Sequence, residues 1–503
     1  MKSPHKLSRK WMLAKTLWLL LGITLVLLAG CVPPEAPLSE VESSPAEPTQ
    51  GVAPVELSAT PLPTRPQYSP GELVDYVVQT GDTLPALAAH FNTTEEEIRA
   101  ANDVLPEEVT TLPPGLPLQI PIYYEALWGS PYRILPDDHF VNGPAQTAFD
   151  AVEFVDSQPG WFKSHVDLAG GNPVRGGELI NHVAANFSIS PRLLLAVLEY
   201  QTRALTQPTP PEASQVYLLG YIDSTHARLG QQLVLAANTL NNGYYGWRIG
   251  ALDSFEHFDG RLERPDPWQN AATVGLQVYF ASVLPAAEYE RAVNVDGLAQ
   301  TYQNLFGDPW ALEGEHFPGN LAQPELALPF EPGKLWTLTG GPHTGWGVGE
   351  PLAALDFAPG GVSGCASSSA WATAAADGVV VRSEPGLVVL DLDSDGDERT
   401  GWVLLYLHLA TRERAAVGKQ VALGQAVGHP SCEGGSSTGT HIHLSRKFNG
   451  EWIPAGGVLA YNLDGWVAEY GDTPYEGQML RFGDVVEASP ISSIESQISR
   501  AAP

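Results

Sequence analysis

From Trp402 to Leu409 the chain is apolar at every position but one. On an extended strand, whose side chains alternate between faces, Leu404, Tyr406 and His408 fall on one side and Val403, Leu405, Leu407 and Leu409 on the other. The pattern predicts a strand with His408 turned away from the more continuously apolar face, and Leu387 to Leu390 predicts a second strand ahead of it. Further upstream the period changes. Ser190-Pro191 opens a helix with Leu194, Val197 and Leu198 on one face, Gln231 to Leu240 repeats Leu233, Ala236, Ala237 and Leu240, and Val274 to Val283 gives a third helix. Near the front, the short strands Tyr76-Val77-Val78 and Leu118-Gln119-Ile120 bracket two small helices. Thr83 can cap the first with Pro85 in its opening turn, and Thr94 with Glu97 has the spacing of a capping box before Ile98. From Val32 to Pro70 there is no hydrophobic period, only Pro, Ser, Glu and Ala, which predicts an extended linker.

These patterns divide the chain into six segments of a multi-domain protein. Residues 1–31 are a leader, 32–70 a disordered linker and 71–124 a small βααβ unit. Residues 130–325 form a mostly α-helical domain, 333–485 a mainly β domain on an antiparallel sheet, and 486–503 a C-terminal tail. A length of 503 residues suffices for three cores. Asp and Glu number 57 against 27 Lys and Arg, an acidic balance that excludes nucleic acid as a partner.

The chemistry concentrates in the C-terminal domain. His441 and His443 follow the run Gly434-Gly435-Ser436-Ser437-Thr438-Gly439-Thr440, and on a strand both imidazoles leave the same face. A catalytic zinc site uses three nitrogen or oxygen ligands and keeps a fourth position for water. His343, Asp356 and one member of the 441/443 pair would complete such a set. Other signatures are missing: there is no H-E-x-x-H helix, no G-x-S-x-G elbow and no phosphate-cradling glycine loop. His429 is expected on the loop surface, outside the site.

Gly340-Gly341-Pro342-His343, Leu355-Asp356-Phe357, Leu407-His408-Leu409 and His441-Ile442-His443 together resemble the lysostaphin-type zinc endopeptidases that cut peptidoglycan peptides. The long step from His343 to Asp356 departs from the compact H-x-x-x-D of most members and looks like the spacing of the staphylolysin and beta-lytic branch. The resemblance implies that His343, Asp356 and His443 are zinc ligands and that His408 and His441 are the catalytic pair. Cys365 and Cys432 both fall in this domain, outside the reducing cytoplasm, and are expected to form a disulfide.

The segment Tyr76 to Leu84, with Ile98 to Asn102 and Leu112 to Gly115, resembles a LysM glycan-binding module. That likeness implies that the loop of Gly81, Asp82, Thr83 and Leu84, with the loop before the last strand, holds N-acetylglucosamine. At the front, Lys2, Lys6, Arg9, Lys10 and Lys15 precede the apolar run Leu17 to Leu28, and Leu28-Ala29-Gly30-Cys31 resembles a bacterial lipoprotein signal, implying cleavage before Cys31 and acylation of its thiol. Two motifs are weaker. Ile189 to Glu199 faintly resembles the catalytic-helix entry of lytic transglycosylases, although a helix glutamate is more often solvated. Asp391 to Asp397 begins like a calcium loop, but with Trp402 at its twelfth position it reads better as a polar hairpin loop.

The sequence therefore predicts an exported zinc endopeptidase, lipid-anchored at the cell envelope, that hydrolyses peptide cross-links of peptidoglycan. Two alternatives stay open. One is a non-catalytic wall-binding or amidase-activating lipoprotein; the other adds glycan cleavage by the middle domain.

Overall fold

A computed structural model describes residues 61–126, 128–209, 217–312, 314 and 316–501. Cys31 and most of the linker lie outside these residues, and no helix among them is long and apolar enough to cross a membrane.

The N-terminal unit pairs β1 (Glu72–Val77) antiparallel with β2 (Pro117–Ile122) across α1 (Leu84–His90) and α2 (Glu95–Ala101). Both caps form as expected: Thr83 accepts from the Ala86 N–H, and Thr94 and Glu97 close a capping box. Leu84, Leu87, Phe91, Ile98, Leu112 and Ile120 fill its small core.

The middle segment is helical, as its 3.6-residue period predicts, with longer elements. It comprises α3 (Ala151–Ser157), α4 (Gly176–Phe187), α5 (Pro191–Thr202), α6 (Leu229–Arg248), α7 (Ala271–Val283), α8 (Ala286–Ala292) and α9 (Gln300–Phe306). A hairpin, β3 (Val166–Ala169) with β4 (Asn172–Arg175), precedes α4. In α5, Leu193 to Leu198 are all buried, so the helix is central rather than amphipathic. Glu199 departs from the solvated reading. It is 5 % exposed, and its carboxylate accepts from the Leu205 N–H at 2.7 Å and the Thr206 hydroxyl at 2.5 Å. Those bonds fasten the turn that leaves α5.

The C-terminal segment is built on a nine-stranded sheet. Its strands are β5 (Leu335–His343), β6 (Ala354–Pro359), β7 (Gly378–Glu384), β8 (Gly386–Asp391), β9 (Trp402–Leu409), β10 (Gln420–Val421), β11 (Ile442–Phe448), β12 (Glu451–Trp452) and, after a small second sheet, β17 (Gln497–Ser499). The path runs β10-β7-β8-β9-β11-β6-β5-β17, with β12 on β11. The second sheet joins β13 (Asn462–Leu463), β14 (Trp466–Tyr470), β15 (Gly477–Arg481) and β16 (Asp484–Glu487). Residues 486–503 are thus more than a tail: β17 completes the edge against Leu335 to Thr337, with Ile498 buried. The core also begins before residue 333, since Leu326, Leu328 and Phe330 are buried in it.

Both faces of the large sheet are covered. Val388, Leu390, Leu404, Tyr406, Ile442 and Leu444 pack with Trp466, Ala468 and Met479 of the small sheet. Leu387, Val389, Val403, Leu405 and Trp452 instead share one core with the helices. Double burial is why the run from Val403 to Leu409 is apolar almost throughout. The strand alternation fails at one residue. Gly386 pairs with Leu409 and Leu387 with Leu407, which leaves His408 unpaired in a bulge with φ of 64°. The expectation that His408 shares the face of Leu404 and Tyr406 is corrected: the extra residue swings its ring to the side of Leu407, and Leu409 takes the core position instead.

Candidate metal centre

Strand register assembles the site. On adjacent strands His443 stands opposite both Asp356 and Leu407, and Asp356 opposite Gly340, so these residues form one row on the helix-side face. Two register shifts in β5 then carry its last residue, His343, over the same row. His343 Nε2 lies 3.0 Å from His443 Nδ1 and 3.2 Å from Asp356 Oδ1, and His443 Nδ1 lies 3.3 Å from that same oxygen. A tetrahedral ion with bonds of about 2.05 Å holds its ligand atoms about 3.3 Å apart.

Three further observations fit a cation. His343 Nδ1 donates to the Gly341 carbonyl at 2.8 Å and His443 Nε2 to the Gly345 carbonyl at 3.1 Å. Because a carbonyl can only accept, these bonds fix the tautomers and turn the bare nitrogens toward the shared centre. Asp356 Oδ1 is buried and accepts no hydrogen bond, which would be costly for an oxygen with nothing to bind. Burial opposes charge on Asp356, yet attraction to the His343 and His441 imidazoles outweighs it and holds this carboxyl well below its usual range. His343, Asp356 and His443 are all buried, and two nitrogens with one carboxylate form a donor set that suits zinc.

The other two histidines face this centre. His441 Nδ1 donates to the Gly439 carbonyl at 2.7 Å, and its Nε2 lies 3.5 Å from Asp356 Oδ2. His408 Nδ1 donates to the Glu433 carbonyl at 2.9 Å. The rings are 4.6 Å apart. Burial, reinforced by repulsion from His441, pushes the His408 imidazole down to about 4. The bulge that aims His408 depends on a close backbone approach: a Cβ on Gly386, where φ is +84°, would lie 2.2 Å from Gly434 Cα.

Two lobes of a cleft, about 570 and 550 Å³, meet over Asp356, His441 and Tyr475. One wall carries Trp346 and Gly347, the other Gly360 to Gly364. The disulfide Cys365–Cys432, with Cα atoms 5.6 Å apart, ties the loop after β6 to the loop that carries Glu433. Sequence reasoning missed Tyr475, whose ring stacks on His343 at 4.1 Å; it sits at φ of 73° in a polar turn with no local signal. Asn238 and Asn242 were missed as well. They accept from the Val348 and Glu350 N–H groups at 2.7 and 2.6 Å and so hold the Trp346 loop, and their i, i+4 spacing on α6 was a legible hint.

Other residues singled out by the sequence lie away from this centre. His429 is buried, not on the surface: its Nδ1 donates to the Ala370 carbonyl at 2.8 Å, its Nε2 lies 3.0 Å from Glu413 Oε2, and its ring lies tilted against Trp371 at 3.7 Å. Asp391, Asp393 and Asp395 cluster, but their oxygens accept backbone N–H groups of the same hairpin. In the N-terminal unit Leu84 is core, Thr83 is a helix cap, Asp82 accepts from the Tyr76 hydroxyl and the Gln79 N–H, and Gly81 packs against Arg248. Burial pushes the Asp82 carboxyl up to about 6.

The model of the LysM domain matches residues 76–121, and that of the LasA N-terminal domain matches residues 133–320. Protease LasA of Pseudomonas aeruginosa is 24% identical over 342 residues, 64% of this chain and 76% of that protein. The beta-lytic metalloendopeptidase of Achromobacter lyticus is 30% identical over 165 residues, 31% of this chain and 41% of that protein. Among solved structures, the M23 metalloprotease pseudoalterin, from the deep sea, aligns with 33% of this chain and 96% of its own at 25% identity and a TM-score of 0.29. Residues 76–121 are thus similar to LysM domains and residues 133–320 to the LasA N-terminal domain, and the chain is similar to metalloendopeptidases.

Proposed function

We propose that this protein is a zinc-dependent endopeptidase that hydrolyses peptide cross-links of bacterial peptidoglycan, with a LysM domain that recognises glycan. The observation that carries the reading is the buried triangle of His343 Nε2, His443 Nδ1 and Asp356 Oδ1, 3.0 to 3.3 Å on a side, faced by two further imidazoles. The names of the similar proteins, protease LasA and beta-lytic metalloendopeptidase, point the same way.

His343, Asp356 and His443 would hold the ion. When bound, zinc supplies a Lewis acid that polarises the scissile carbonyl and lowers the pKa of water in the fourth position. The chain's own residues do the rest. His408, its Nδ1 committed to Glu433 O, presents a bare Nε2 to the cleft, and its depressed pKa keeps that nitrogen neutral and able to accept a proton. His441, tied at Nδ1 to Gly439 O, points Nε2 into the same space. The two rings form a proton-handling pair: one bare Nε2 takes the proton of the attacking water and returns it to the leaving amine, and the other, when protonated, donates to the former carbonyl oxygen. Tyr475 roofs His343 and excludes bulk water on that side.

Retention of all five positions favours an enzyme over a non-catalytic wall binder. The basic head, the apolar run and Leu28-Ala29-Gly30-Cys31 support export and a lipid anchor at Cys31, with the membrane as a second partner. Mass analysis of the fragments released from purified cell walls tests the function. Cleaved cross-links with new amino termini, lost on adding 1,10-phenanthroline and regained with zinc, are expected; release that survives chelation, or intact cross-links, would refute it.

A further inference from the structure

The two loops that the LysM resemblance assigns to N-acetylglucosamine face inward. Against the first, the Phe317 N–H donates to Thr80 Oγ1 at 3.2 Å. The second is bonded along its length to the next few residues. Thr111 O accepts from the Asn320 N–H at 2.7 Å, and Thr111 Oγ1 accepts from the Leu321 N–H and donates to Pro318 O, each at 2.8 Å. Thr110 Oγ1 donates to Leu321 O at 2.6 Å. Gly319 sits so close to the loop that a Cβ there would lie 2.8 Å from Pro113 Cα. From the other side the Arg248 guanidinium donates to Thr80 O at 2.6 Å, and a Cβ on Gly81 would lie 2.7 Å from it. While Thr80, Pro114 and Gly115 also border a separate cleft of about 660 Å³, the space left between the loops and the C-terminal part is a cavity of about 190 Å³, walled by Gly81, Thr83 and Thr111 and by residues between Ile453 and Leu459. Ordinary ligand sites begin at about 300 Å³, so no oligosaccharide fits there.

We propose that residues 316–321 are an internal occupant of the LysM loops, so that docking of this domain within the chain and its binding of an N-acetylglucosamine oligomer exclude one another. The inference rests on the glycan reading of the LysM domain given above. The outward-facing polar groups of the two loops, Thr80 Oγ1, Thr110 Oγ1 and both the carbonyl and the hydroxyl of Thr111, are engaged by backbone groups of residues 317–321. A sugar therefore binds only the undocked form, and its apparent affinity falls by the fraction of molecules in that form. The closed protein and the wall-bound protein are two states of one chain, and glycan drives the second by mass action.

The test uses the full chain and chitohexaose. Gly319→Val thrusts a side chain at the Pro113 backbone while leaving every LysM loop residue unchanged. Calorimetric titration is expected to show at least tenfold tighter binding to this variant than to the wild type, with wall hydrolysis preserved. In the wild type, saturating chitohexaose is expected to speed hydrogen exchange at the Asn320 and Leu321 N–H groups, a readout that needs no variant. Wild-type binding with unchanged exchange there overturns the proposal. If that binding also disappears in Trp310→Ala, the sugar occupies instead the cleft of about 660 Å³ lined by Trp268 and Trp310. Failure of both proteins to bind overturns the proposal and the glycan reading together, and leaves zinc-dependent wall hydrolysis, measured separately, untouched.

Discussion

Arg248→Met is expected to loosen the joint between the three parts of the protein. The Arg248 guanidinium lies 2.8 Å from Glu451 Oε1 on β12, 3.0 Å from Asp137 Oδ2 and 2.6 Å from Thr80 O of the N-terminal unit. The two carboxylates are each 2 % exposed at the side chain. Removing one partner from a buried pair costs about 3–5 kcal/mol because the other charge stays behind. Here two carboxylates are left, so a loss near ~5 kcal/mol is expected. Tyr244 and His316 keep their bonds to Glu451, and Asn270 and the Ala272 N–H keep theirs to Asp137, but the guanidinium charge is gone. Adding Glu451→Gln removes one stranded charge and should restore most of the loss. Acid provides a second check. Burial would raise the Glu451 carboxyl, but Arg248 and His316 outweigh it and hold it at about 2, below its ordinary 4.5. A depressed carboxyl contributes stability that is complete above about pH 4.5 and lost as pH falls toward 2. Without the guanidinium, burial raises Glu451 instead, so acid relieves the variant while it weakens the wild type. Urea unfolding followed by the fluorescence of Trp247 and Trp452, both buried beside the joint, should show a gap that narrows from pH 7 to pH 4. A gap below about 1 kcal/mol, or one independent of pH, would refute the reasoning.

The other expectations concern the cleft. Asp356→Asn should bring zinc, measured by mass spectrometry of metals, from one equivalent to none, whereas His408→Ala should keep it and lose at least about 100-fold in wall hydrolysis; full activity in the latter removes His408 from the mechanism. Gly386→Val, which drives a side chain into Gly434, should move the Glu433 carbonyl that holds His408 and cut activity by roughly tenfold or more with zinc retained; an unchanged rate would mean that the bulge does not position the ring. Cys432→Ser opens a loop with a sequence separation of 67, worth about 4 kcal/mol in the chain-entropy account, and should lower the calorimetric melting temperature of the C-terminal part; an unshifted transition contradicts that.

How far the sequence could be read depended on whether each feature is local. Thr83, Thr94 and Glu97 act within one turn of chain, and their caps form as the residue types dictate. His441 and His443 are two apart on or beside one strand, so their common side follows from the pleat alone. His408 was misplaced because its direction depends on Gly386, a residue of the neighbouring strand that pairs with Leu409 and leaves a surplus position. Tyr475 was invisible for a related reason: its ring meets His343 only after β14 and β15 fold back on the large sheet. Glu199 and His429 mark a different limit. Both are polar residues in deep positions, and the backbone groups that satisfy them come from turns whose course no periodicity reports.

The largest feature absent from the sequence reading is the cover that the helices place on the sheet, and it bears directly on the site. On the face that carries the candidate metal centre, successive rows run from Val403 with Lys447, through Leu405 with Ser445, to Leu407 with His443. Val403 and Leu405 are buried in the helical core, whereas Leu407 is only partly buried and lines the cleft. The helices thus stop one row short of the histidines. Where they stop, Asn238 and Asn242 of α6 take hold of the Val348 and Glu350 N–H groups and fix the loop that bears Trp346 and Gly347. That loop also supplies Gly345 O, the acceptor that sets the tautomer of His443. A change on α6 therefore reaches the bare nitrogen of His443 through one loop and one hydrogen bond. In this chain the helical part is structurally continuous with the site, and a protein lacking it would expose the Val403 and Leu405 face and leave the cleft without one wall.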